Sequence, residues 1–346
     1  MRNNYSLPGL LFTALVFTAF ACNTGQSATD QPYAGKAKSD SSDNEEVAVQ
    51  KQQTIDTALF FKLNEKLANG DTTGKWPAKM PVPRPGAILP FHRVVAFYGN
   101  LYSKKMGILG ELPKNEMLAK LKGEVADWQK ADTSLPVIPA LHYIAVTAQA
   151  APGPNNKHRL RMPFHQIDTI LNWSKEIDAI TFLDIQVGHS TVQEEVPALE
   201  KYLEMPTVHL GIDPEFSMKG GHVPGKKIGT FDAVDINWVI DYLAGVVKKN
   251  NLPPKILILH RFTQGMMTNY QNIKKVPEVQ IVVDMDGWGP KFLKRSTWLR
   301  YVYKEPVEYT GFKIFYKNDT KTGADQLYTP DELLKFIPQP IYIQYQ

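Results

Sequence analysis

Val208-His209-Leu210-Gly211-Ile212-Asp213-Pro214-Glu215 is the stretch that decides the fold. Successive side chains of an extended chain point to opposite faces. Val208, Leu210 and Ile212 therefore share one wholly apolar face, while His209, Gly211, Asp213 and Glu215 share the other. An apolar face suits a covering helix; a face that turns polar toward its C-terminal end suits a solvent-filled mouth. Two more segments repeat the pattern. In 279–286, Gln280, Val282, Asp284 and Asp286 alternate with Val279, Ile281, Val283 and Met285. In 179–187, Asp184 and Gln186 share a face with Ile180 and Phe182.

Working outward, strand-like runs recur at 93–98, 137–147, 179–187, 207–213, 255–262, 279–286, 311–316 and 340–345. Helical spacing is predicted near 114–130, 164–177, 192–204, 232–250, 266–275, 290–303 and 330–337. Asp232 is a plausible N-cap, and Thr329-Pro330-Asp331-Glu332 combines a capping box with proline at the first helical position. Strands separated by helices pair in parallel, and eight such units match the (β/α)8 TIM-like barrel, typically about 250 residues. A doubly wound open sheet is the alternative. The chain stops directly after the eighth strand, so the barrel lacks its last helix. The segment 54–68, with Leu59, Phe60, Leu63 and Leu67 at helical spacing, is the candidate to fill that gap.

The 346 residues are 43% apolar, which excludes a disordered protein, and 39 Lys+Arg against 35 Asp+Glu leaves no basic face for nucleic acid. A positive start, an apolar run from Leu7 to Ala21 and then Cys22 form an export signal. The run is short of the roughly 20 residues that span a bilayer. Ala19-Phe20-Ala21-Cys22 is similar to the bacterial lipobox, with Ala19 in the place of the usual leucine. Cys22 is the only cysteine, so it forms no internal disulfide and is the expected lipid anchor. Residues 23–53 are polar and too poor in large apolar side chains to offset ordering entropy, as expected of a flexible tether. The predicted organisation is a lipoprotein signal at 1–22, a tether at 23–53 and one barrel domain at 54–346, held at the bacterial envelope by membrane attachment.

Val95-Ala96-Phe97-Tyr98-Gly99-Asn100, Met106-Gly107-Ile108-Leu109-Gly110-Glu111, Phe182-Leu183-Asp184-Ile185-Gln186, His209 to Glu215 and Val283-Asp284-Met285-Asp286-Gly287 form a recognisable set. It resembles a family of uncharacterised bacterial exported proteins and lipoproteins with a TIM-barrel-like fold. The resemblance covers residues 92–290 and implies one contiguous domain holding these carboxylates. It implies no substrate.

The candidate catalytic residues are Asp184, Asp213, Glu215, Asp284 and Asp286, which the strand parity brings toward one mouth. Glycoside hydrolysis needs two acids in different environments, one kept protonated and one ionised. Glu215 or Asp213 would be the general acid, and Asp184 or Asp284 the base or nucleophile. Tyr98 and Trp288 would form a sugar platform, and Gln186, His260 and Arg261 complete the substrate-binding candidates, with Arg261 falling on the helix side by parity. The same acids could instead bind Mg²⁺ or Ca²⁺ through oxygen. No His-x-His or His-Glu-x-x-His occurs, which disfavours a zinc hydrolase, and His142, His209 and His260 read as hydrogen-bonded barrel histidines. Gly-x-Ser-x-Gly is absent, which disfavours a serine nucleophile, and the glycine-rich loop 217–229 lacks both the P-loop and the dinucleotide spacing; no cofactor beyond a possible divalent cation is expected. The sequence thus points to an envelope-anchored hydrolase acting on carbohydrate. The alternatives are a lipoprotein that binds carbohydrate or another small ligand without turnover, and a metal-dependent phosphoesterase.

Overall fold

The computed structural model describes residues 54–321 and 326–346. The signal, Cys22 and the tether at 23–53 lie outside the described residues. Eight strands among the described residues form a closed parallel barrel: β1 Arg93–Gly99, β2 Val137–Ala148, β3 Ile180–Ile185, β4 Val208–Ile212, β5 Lys255–Arg261, β6 Val279–Met285, β7 Tyr309–Ile314 and β8 Tyr342–Tyr345. Each pairs with its neighbour in chain order, and β1 pairs with both β2 and β8, which closes the ring. Closure rules out the open sheet.

Alternation governs the packing as the sequence predicts. Outward-facing Val95, Phe97, Leu141, Leu183, Leu210, Leu257, Ile281, Phe312 and Ile343 join the helices in one large apolar cluster. Inward-facing Val94, Ala96, Ala140, Phe182, Ile258, Val282 and Tyr342 form a second cluster inside the lower barrel. The main helices are α1 Thr57–Ala68, α2 Lys114–Ala131, α3 Phe164–Lys175, α4 Ala233–Lys249 and α5 Lys291–Thr297. Asp232 caps α4 in a box with Asp235, and Thr329 caps the short helix Pro330–Leu333 in a box with Glu332. No helix of the described residues is long and apolar enough to cross a membrane.

Two expectations are corrected. Residues 266–275 are not a helix: Met267–Thr268 pairs with Phe231–Asp232 as a small two-stranded sheet between tight turns. Asn269, in the left-handed region at φ 54°, breaks helical continuation there, and its side chain bonds Asp232. α4 then packs on both β5 and β6, and the helical turn Trp298–Tyr303 also contacts β6. Nor does α1 take the outer-ring place beside β8 expected of it. Its Leu67 packs with Leu89, Val94, Ile256 and Tyr309, so α1 plugs the N-terminal end of the barrel. Over β8 the gap is closed by α2, whose Trp128 Nε1 donates to Tyr345 Oη at 3.0 Å, meeting the Pro330–Leu333 helix.

Candidate active site at the barrel mouth

Above the apolar lower barrel the inward face becomes polar on every strand from β1 to β8. Tyr98, His142, Asp184, His209, His260, Asp284, Lys313 and Gln344 are almost wholly buried there. Gln186 and Asp286 follow one inward-facing step higher on their strands, and Asp213 two steps above His209, beyond Gly211. A cavity of about 700 Å³ opens above them, floored by Tyr98, Gln186, Asp213, Glu215, Asp286 and Lys313 and walled by Phe262, Trp288, Tyr301 and Phe315.

The carboxylates divide into two tiers. Asp213, Glu215 and Asp286 line the cavity; Asp184 and Asp284, fully buried, do not. Asp184 and Asp284 sit one inward-facing step below Gln186 and Asp286 on their strands.

Glu215 is fixed through its backbone. Its N–H donates to Asp213 Oδ1 at 3.0 Å, and its carbonyl accepts from Gly229 N–H at 2.6 Å. Burial, reinforced by the nearby Asp286 charge, pushes the Glu215 carboxyl up to about 7, against the opposing pull of Lys313 and His260. Asp213 is pushed up as well, by burial and by the Glu215, Asp286 and Asp184 charges; Gln186 Nε2 lies 3.4 Å from its Oδ2. Asp286 goes the other way. Burial alone would raise it, but the Lys313 ammonium 3.0 Å from Oδ1 and the His260 ring 3.1 Å from Oδ2 hold it below the ordinary value.

Beneath this floor lies a second group. Asp184 Oδ1 is 3.4 Å from His142 Nε2 and 3.3 Å from His260 Nε2, while Asp184 Oδ2 accepts from Tyr98 Oη at 2.8 Å. Burial pushes both histidines down. It wins at His142, which falls to about 4, whereas the Asp184, Asp284 and Asp286 charges outweigh it at His260 and raise that ring well above its usual value.

The remaining candidates are placed as follows. Tyr98 and Gln186 are on the cavity floor and Trp288, 55% exposed, is on its rim. His260 points inward but stops below the floor. Arg261 does not face the cavity: it is buried on the helix side, paired with Glu305 at 2.6 Å and donating to the Tyr301 carbonyl at 2.9 Å. It anchors the wall that carries Tyr301. His209 Nδ1 accepts the Ile256 N–H at 3.0 Å, the role expected of a barrel histidine.

Lys313 was not among the sequence candidates, yet it supplies the cation of the floor. The alternation Gly311, Lys313, Phe315 against Phe312 and Ile314 carries that signal: a lysine on the inward face of a buried strand needs a partner.

No family model and no curated protein matches the chain. Among solved structures it is similar to a trimodular GH5_4 subfamily endoglucanase, with a TM-score of 0.38 and 9% identity over 82% of this chain and 57% of that one. The chain spans a little over half the length of that structure.

Proposed function

We propose that the barrel mouth is a glycoside-hydrolase site in which Glu215 is the general acid and Asp286 the ionised partner. The observation that carries this is electrostatic asymmetry on one cavity floor. Glu215 is half-buried with its pKa raised to about 7, while Asp286 is ion-paired to Lys313 at 3.0 Å. Hydrolysis of a glycosidic bond needs that division: a protonated acid gives its proton to the leaving oxygen, and a carboxylate activates water or attacks the anomeric carbon. The C–O bond to the leaving group breaks, water supplies the new C–O bond, and the water proton returns to the carboxyl pair. Asp213 positions Glu215 through its backbone bond. Phe262, Trp288, Tyr301 and Phe315 offer ring faces on which a sugar can pack. The cavity volume of about 700 Å³ lies within the usual range for small-ligand sites, roughly 300–1,000 Å³.

The envelope address belongs to the same proposal: Cys22 carries the lipid, and the substrate is a carbohydrate met at the bacterial surface or periplasm. Metabolic labelling with a fatty acid tests this part, with label expected on the wild type and lost in Cys22→Ser.

The catalytic test is a panel of 4-nitrophenyl glycosides and bacterial polysaccharides. Turnover by the wild type is expected to fall at least 10³-fold in Glu215→Gln and in Asp286→Asn, with circular dichroism unchanged. Saturable sugar binding with no product over long incubation would overturn the enzyme reading in favour of a binding lipoprotein.

A further inference from the structure

The group beneath the cavity floor is left over from this chemistry, and its geometry is that of a cation cradle. His142 Nε2, Asp184 Oδ1, both ring nitrogens of His260 and both oxygens of Asp284 are buried with no hydrogen-bond partner among the described residues. Six buried polar atoms without a hydrogen bond in one place are costly, because each has given up water for no more than charge contacts with its neighbours. The His260 Nδ1 to Asp286 distance of 3.1 Å is short enough for a hydrogen bond, but its direction is wrong for one.

β4 supplies the space. Gly211 pairs in register with Asp184 and has no side chain to fill the gap beside it. A Cβ at Gly211 would lie 2.4 Å from Asp184 Oδ1 and 2.6 Å from His142 Nε2. The hollow it leaves is therefore close to metal-bonding distance from both atoms. Gly311 does the same beside Asp284, where a Cβ would lie 2.6 Å from Oδ1.

We propose that His142 Nε2, Asp184 Oδ1 and His260 Nε2 form a buried divalent-metal site suited to Zn²⁺, on the barrel axis below the cavity. These atoms all lie within 4.8 Å of one another. The two measured edges, 3.4 and 3.3 Å, match the edge of a tetrahedron with zinc–ligand bonds of about 2.0–2.1 Å, which is about 3.3–3.4 Å. Two imidazole nitrogens and one carboxylate oxygen are a zinc donor set. The outer atoms are already held: His142 Nδ1 by Tyr342 Oη at 2.6 Å, and Asp184 Oδ2 by Tyr98 Oη at 2.8 Å, while His260 Nδ1 sits beside Asp286. Such outer partners fix ring orientation in metal sites. The site does not depend on the hydrolase reading, and it fails or stands separately.

The test uses the full-length chain, stripped with dipicolinic acid and titrated with Zn²⁺ alone. One zinc per chain is expected by elemental analysis, with a rise in melting temperature, and less than one tenth of that content in His142→Gln and His260→Gln. Should those variants misfold, X-ray absorption on the wild-type zinc protein decides: two imidazole nitrogens and one carboxylate oxygen in the first shell are expected. No retained zinc, or a shell without two imidazoles, overturns the site.

Discussion

Lys313 Nζ on β7 stands 3.0 Å from Asp286 Oδ1 at the end of β6, and 3.8 Å from the centre of the Tyr98 ring on β1. Three strands thus meet at one ammonium group, with Lys313 only 2% and Asp286 8% exposed. A pair so buried is held by its mutual attraction, and neither member is tolerable alone.

Lys313→Met should accordingly destabilise the barrel by about 3–5 kcal/mol, the usual cost of stranding one member of a buried pair. Urea unfolding measures it. The double variant Lys313→Met/Asp286→Asn should recover much of that loss, because the stranded charge is gone. Equal stability of wild type and Lys313→Met would contradict the pairing.

The pH dependence follows from Glu215. The group facing it from β6 is Asp286, that from β7 Lys313 and that from β5 His260, with Asp213 next to it on the loop after β4. The protonated form is the working acid, and its pKa is raised to about 7. Turnover of a glycoside should therefore fall as pH rises above about 7, approaching tenfold per unit. In Glu215→Gln that limb should vanish from whatever activity is left.

Arg261 gives a third expectation. Its guanidinium is fully buried, pairs with Glu305 and holds the Tyr301 carbonyl. Arg261→Ala should cost about 3–5 kcal/mol of stability by leaving Glu305 unpaired. Since Arg261 does not line the cavity, sugar affinity should change only through the loosened Tyr301 wall; a Arg261→Lys variant that keeps stability but abolishes binding would argue for direct contact.

Glu308, at the N-terminal end of the barrel, tests stability alone. It is 4% exposed, accepts the Ile281 N–H at 2.7 Å, and burial raises its carboxyl to about 8 from 4.5. The folded state therefore binds this proton more tightly than the unfolded chain. The associated stability is fully present below pH 4.5 and is lost as pH rises through 8, at about 1.4 kcal/mol per unit. Glu308→Gln should flatten that decline, so that denaturation midpoints at pH 9 exceed those of the wild type.

Much of this was legible in the sequence because a strand's two faces are separated by parity, and parity is local. Val208 to Glu215 alone told which side of β4 would meet helices and which would meet the mouth. The same reasoning put His260 inward and Arg261 outward, where both are found. Helix starts were equally local: the capping boxes at Asp232 and Thr329 need only residues within one turn.

Depth along the barrel axis and contact around it were decided only by the tertiary structure. Asp284 and Asp286 share a face in the sequence, but one rung of the strand separates a carboxylate under the floor from one on it. His142, Asp184 and His260 carry no spacing motif because they come from β2, β3 and β5, and ring closure with a bare Gly211 between them sets their distances. A spacing motif reports ligands that lie on one element. Residues 54–68 could be read as a helix from their apolar spacing, yet the same apolar stripe fits the outer ring or the barrel's end. The ring was already closed over β8 by α2 and the Pro330–Leu333 helix, and the open apolar surface that remained was the end of the barrel at Leu89 and Tyr309.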